Sequence, residues 1–274
     1  MKLRSGFIFR ITAITIFYFT AFSAIANHAW GSYHWARTTT SFDLRLVDST
    51  TSDWSSYVTQ AVVDWSNSSV LNIVEETGDT STRTRRKCNA QSGTIRICNL
   101  AYGQNGWLGI AGISVDSNGH IVKGYTKLND TYFAWDYYNN PLWKQSVTCQ
   151  ELGHDIGLGH QDEDFNNQPL FSCMDYQDPP YPEPNQHDYN QLEAIYGHTD
   201  SYDSFDTGGG GGDSGCNSPP GKGCNKSSLP DSAKETGWGM SLGRRGNSET
   251  FIRIDPDGTR HLTHVRWVGH QEHE

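Results

Sequence analysis

The sequence predicts an α+β fold, and three observations carry the prediction: a β-patterned run followed at once by a helical one, short alternating runs separated by Asn-Gly and Asp-Gly turns, and two late helical stretches. Ser41 to Val47 alternates apolar and polar residues as a half-buried strand does. Trp54, Tyr57, Val58, Ala61, Val62 and Trp65 then recur at helical spacing, with Ser52 and Asp53 available as caps and Asn67-Ser68-Ser69 as the stop. These aromatics read as core. Leu71 to Glu75 and Thr94 to Cys98 are the next strands, joined by a polar Thr77 to Lys87 connection whose basic run, Arg83, Arg85, Arg86 and Lys87, reads as a solvated loop. Ile110 to Val115 and His120 to Tyr125 flank Asp116-Ser117-Asn118-Gly119, a hairpin signal because Asn-Gly accepts the positive backbone angles of a tight turn. An extended piece, Thr126 to Asn129, follows. A second helix is expected from Pro141 to Gly157 and a third from His187 to Tyr196, closed by Gly197. Beyond the glycine run Gly208 to Gly212, Thr250 to Ile254 and His261 to Val268 surround Asp255-Pro256-Asp257-Gly258 and predict a β-hairpin.

The 274 residues suffice for one main domain and an appendage. Residues 1–26 read as a secretory signal: basic Lys2, Arg4 and Arg10, an apolar Ile11 to Phe22, and the small-x-small Ala24-Ile25-Ala26. The expected division is therefore a signal (1–26), a main domain (27–206), a Gly-rich linker (207–215) and a small disulfide-containing β region (216–274), in a secreted protein. A net charge of -10 with scattered acidic residues argues against nucleic acid as a partner, and no segment after the signal suits stable membrane insertion. Six cysteines in an exported chain suggest disulfides. Local spacing proposes Cys88 with Cys98 and Cys216 with Cys224, leaving Cys149 with Cys173, although six cysteines permit many other connectivities.

Cys149 to His160, CQELGHDIGLGH, is the segment that carries chemistry. On a helix, residues 150 and 154 share a face and Glu151 sits beside them. Gly157 lets the backbone turn, so His160 can return to the same point from beyond the helix end.

This stretch resembles the metzincin motif HExxHxxGxxH, with Glu151, His154, Gly157 and His160 in place and Gln150 where the leading histidine would stand. Ser172-Cys173-Met174-Asp175-Tyr176 is similar to the Met-turn of those enzymes, and Pro184 to Gly197 is similar to the entry of matrixins into their last helix. The resemblance covers about residues 41 to 198. It implies a twisted mixed β-sheet, an active-site helix and a Met-turn in which Met174 supports the site. It further implies a secreted metal-dependent endopeptidase acting on protein or peptide substrates through a metal-activated water, with Glu151 as general base. His154, His160 and Gln150 would hold the metal, Zn2+ first and Cu2+ as the alternative. An amide oxygen is a weaker donor than imidazole, so Gln150 should lower zinc affinity. Some gametolysin-type members of the family also carry Gln at this place. Ca2+ is common in that fold, and Asp116, Asn118 and Asp162-Glu163-Asp164 are the oxygen-bearing candidates, although solvated turns are the preferred reading of both. Residues 27–40 contain no cysteine that could act as a propeptide switch. The competing expectation is a secreted binding protein on a degenerate scaffold, whose tail grips carbohydrate or a surface through Trp238 and Trp267; sequence does not exclude a non-peptide hydrolase either.

Overall fold

The computed structural model describes residues 27–205 and 237–269. The expected signal segment, the glycine run and Cys216 and Cys224 lie outside the described residues. Nine strands form one mixed sheet: β1 (His34–Trp35), β2 (Phe42–Asp48), β3 (Leu71–Thr77), β4 (Thr94–Leu100), β5 (Trp107–Val115), β6 (His120–Asn129), β7 (Met240–Arg245), β8 (Ser248–Ile254) and β9 (Arg260–Trp267). Their order is β3-β2-β4-β6-β5-β9-β8-β7, with β1 also paired to β6. The half from β3 to β6 is parallel, whereas β6, β5, β9, β8 and β7 run antiparallel in succession. Helices α1 (Ser52–Trp65) and α4 (Pro141–Asp155) pack on this sheet and on each other. Two short helices, α2 (Thr82–Lys87) and α3 (Asp130–Phe133), and the later α5 (Gln186–Ile195) complete the described elements.

The α+β prediction therefore stands, and the core lies where the two periodicities meet. Trp54, Val58, Ala61 and Trp65 of α1 bury against Leu44, Leu46, Ile73, Ile95 and Ile97 of the parallel strands. The buried Trp65 Nε1 donates to the Cys149 carbonyl at 3.0 Å, which fixes α4 beside α1. The disulfides Cys88–Cys98 and Cys149–Cys173 are both present. The extended piece expected at Thr126 to Asn129 is the continuation of β6.

Two expectations are corrected. The basic run at 83–87 is a helix: the Ser81 hydroxyl accepts from the Thr84 amide at 3.3 Å as an N-cap, and Arg85 donates to the Asn99 carbonyl at 2.9 Å. Secondly, the tail hairpin forms as β8 and β9 but is not set apart as an appendage. β9 pairs antiparallel along β5, Ala111 opposite His264 and Gly109 opposite Arg266. Without β9, β5 would be a sheet edge with unpaired backbone groups, and an alternating strand supplies both the hydrogen bonds and the apolar Leu262 and Val265 to cover it. Trp238 is buried against Phe251 and near Trp107, so it is part of the packing of the tail rather than an exposed grip.

Candidate metal centre

Helix α4 is built to present its last two turns. Pro141 occupies the first turn, where its missing amide is harmless, and the Asn140 side chain caps the Trp143 amide at 3.0 Å. Gln150, Glu151 and His154 are buried on the sheet-facing side. The helix stops where Gly157 takes φ 101°, a conformation in which a side chain would also lie 2.7 Å from the Tyr33 carbonyl. The chain turns back there and delivers His160.

Each of these two histidines is oriented through Nδ1. His154 Nδ1 lies 2.8 Å from the Leu158 carbonyl, and His160 Nδ1 lies 2.9 Å from Glu163 Oε1. Both partners are acceptors, so the protons sit on Nδ1 and the lone pairs on Nε2. The two Nε2 atoms face each other at 3.1 Å. Burial, then the neighbouring His160, holds His154 well below the usual histidine range; burial also lowers His160 against the pull of Glu163. Two neutral imidazoles with converging lone pairs repel unless a cation or a proton lies between them. The donor set thus fits a transition metal.

The third member comes from β9. The His264 ring centre lies 4.0 Å from that of His154, tilted, and 4.8 Å from that of His160, edge-on, and one nitrogen from each of the three lies within 4.8 Å of the others. His264 is held well below its usual range by burial and then by the other two imidazoles. Its Nδ1 is 3.3 Å from Glu151 Oε2, and its Nε2 is 3.1 Å from the Ser248 hydroxyl. Gln150 does not join this group as expected. Its amide oxygen accepts from Arg266, two residues beyond His264 on the same strand, while its Nε2 and Arg266 Nη2 remain buried without partners. Arg266 is stacked between Tyr176 and Trp143, 4.9 and 5.4 Å from their ring centres.

Burial raises Glu151 well above the ordinary carboxyl range, opposed by the positive charge of Arg266. β5 approaches this carboxyl closely: a Cβ added to Gly109 would lie 2.6 Å from Glu151 Oε1 and 2.7 Å from Val147. The turn at Ser172 to Tyr176 runs beneath the helix. Met174 is fully buried with its sulfur against Gly153, its carbonyl accepts from the Gln161 amide at 2.7 Å, and the Cys149–Cys173 disulfide joins turn to helix. Ser172 Oγ donates to Asp188 Oδ2 at 2.6 Å, tying the turn to α5.

Of the oxygen-bearing candidates for calcium, Asp116 accepts from the amides of Asn118 and His120, Asp162 accepts from the Asp164 amide, and Glu163 is committed to His160. Gln150 and Glu151 show no exposure and His154 only 1%; β9 is the strand that covers them. His160 borders an open hollow lined by Gln161, Glu163 and Arg245.

A scan against protein-family models finds no match, and a search of curated proteins finds no relative. Sequence reasoning missed His264 and Arg266. Their signal was weak: His264 and Arg266 share a face with Arg260 and Leu262 in a strand that also carries His261, so nothing local singles the two out.

Proposed function

We propose that the chain is a metal-dependent endopeptidase held closed by its own C-terminal strand. The observation that carries this is the convergence of His154, His160 and Glu151 from α4 and its following turn with His264 from β9, on the edge strand that an extended peptide would otherwise pair with. In the closed state His154, His160 and His264 would hold Zn2+ or Cu2+, and Gln150 is tied up by Arg266. Departure of β9 removes His264 and Arg266 together. It frees the Gln150 amide oxygen, one helical turn before His154, to serve as the third ligand.

The metal, when bound, supplies a Lewis acid that acidifies water and polarises a carbonyl. The other tasks fall to the chain. An extended substrate would take the place of β9 and use the same backbone groups of β5 from Gly109 to Ile113, as in β-strand addition. Glu151, relieved of His264, would accept a proton from the attacking water and return it to the leaving amine. The buried, unpartnered Gln150 Nε2 and Arg266 Nη2 each cost the closed state about 1–3 kcal/mol, which favours a strand that can be displaced.

The test compares the intact chain with chain cleaved between residues 206 and 236 and freed of its tail, using an unfolded protein substrate with Zn2+ or Cu2+. Cleavage that appears on tail removal, is abolished by chelator and is lost in Glu151→Ala supports the proposal. Equal inactivity of both forms with either metal sinks it. The burial of Glu151 favours a second reading, a permanently closed scaffold with no turnover, and that is what such inactivity would mean.

A further inference from the structure

We infer that His34, His120, His198 and Asp200 form a second transition-metal site, separate from Glu151, which pins the N-terminal segment and the chain after α5 to the start of β6. The four residues come from three distant parts of the sequence and meet at one carboxylate. His120 Nε2 lies 3.3 Å from Asp200 Oδ1, His34 Nε2 3.6 Å from Oδ2, and His198 Nε2 3.6 Å from Oδ1. His34 Nε2 and His198 Nε2 face each other at 3.2 Å. Zinc bonds of about 2.0–2.1 Å set the edges of a ligand tetrahedron at roughly 3.3–3.4 Å, and the four separations fall close to that value.

The orientation of the rings gives an independent argument. His34 Nδ1 is 3.0 Å from the Ser32 carbonyl, so it must carry the proton. His120 Nδ1 is 2.6 Å from the Tyr202 hydroxyl, whose own proton goes to Asp116 Oδ2, so this nitrogen also donates. Both rings therefore aim Nε2 lone pairs at the common point, the second-sphere pattern of metal-ligating histidines. Asp200 is fixed as well: Oδ2 accepts from the Arg37 amide at 3.0 Å, and its own amide donates to the Arg37 carbonyl at 2.7 Å. The side chains of His34, His120 and Asp200 are 12%, 13% and 10% exposed, which leaves an ion a path from solvent, while His198 is 54% exposed and can swing in as the fourth ligand. Neutral imidazoles with one carboxylate suit Zn2+, and the partners of the four are Ser32, Arg37, Asp116, Tyr202 and one another rather than Glu151, so the role is to hold the fold.

The experiment counts Zn2+ on the full chain by native mass spectrometry and calorimetry, in a Glu151→Ala background that prevents self-cleavage. His34→Ala with Asp200→Asn should lose one equivalent, its affinity falling at least roughly a hundredfold, while His160→Ala keeps that equivalent. His198→Ala, at an exposed position, should weaken the same equivalent without disturbing the fold. Undiminished binding in both the double and the single variant overturns the inference. Should the double variant fail to fold, imidazole nitrogen NMR of the unsubstituted ligand set decides: one added Zn2+ equivalent beyond the first should move the Nε2 signals of His34 and His120, and unmoved signals mean that protons alone hold the cluster.

Discussion

The two histidine clusters differ in how the chain assembles them. At the candidate metal centre, His154 and His160 belong to one short segment, and only His264 is imported; Glu151, His154 and His264 are buried, while His160 borders an open hollow. At the second cluster three separate stretches of backbone contribute, His34, His120 and the His198-Asp200 pair, and the site stays partly open to solvent. A buried centre with a carboxylate beside it and, as proposed, a displaceable covering strand suits chemistry that must be switched on. A rim cluster with fixed tautomers and no general base suits attachment. On the proposed reading, what separates the two is Glu151.

The strongest way to break this contrast is Glu151→Ala in tail-free chain. Hydrolysis of an unfolded protein should fall by about 10³-fold or more, while bound zinc stays the same by mass spectrometry. Retained hydrolysis would remove the distinction. Next in size, His264→Ala with Arg266→Ala in the intact chain should loosen the cover and raise the initial hydrolysis rate by roughly tenfold or more, since the ligand and the Gln150 clamp are lost together. The same pair of changes has nothing to act on once the tail is gone.

Acid should open the buried centre first in metal-free protein. Burial depresses His154, His160 and His264 below 6.5, so the unfolded chain takes up more protons than the folded one as pH falls below that value. Stability from these groups is full above 6.5 and declines below it, by up to about 1.4 kcal/mol per pH unit for each proton. Thermal unfolding between pH 8 and 5 should show that decline, and excess Zn2+ should move it to lower pH. A midpoint that does not fall with pH would count against the buried neutral triad.

Gly109→Ala drives a methyl into Glu151 and Val147 and should cost about 1–3 kcal/mol in chemical denaturation, because β5 and α4 must separate. The smallest effect is expected from His198→Ala. Its thermal midpoint should match the unsubstituted chain in chelator and fall a few degrees below it in Zn2+, in line with one lost ligand at the rim. Equal midpoints in both conditions would weaken the contrast between attachment and catalysis.

Much of this was legible in the residues themselves. The helical spacing of Trp54, Val58, Ala61 and Trp65 and the alternation of Phe42 to Val47 report local periodicity, which survives any tertiary arrangement. Gln150, Glu151 and His154 could be placed on one helix, and Gly157 at its end, for the same reason. The helix at Thr82–Lys87 was hidden because nothing apolar marks it; its cap and Arg85 hold it instead. His264, Arg266 and the cluster around Asp200 leave little local trace, since Glu151 and Gln150 lie more than 100 residues from His264 and Arg266, and His34 and His120 lie far from Asp200 along the chain.

The sequence by itself thus determined most of the longer elements, the α4 motif and the local cystine at Cys88 and Cys98, because each depends on neighbours within a few turns of chain. Tertiary structure alone decided that β9 would cover β5, that Arg266 would claim Gln150, and that His264 would stand beside His154. Strand pairing is a choice among edges, and the backbone groups that make it are the same for every residue.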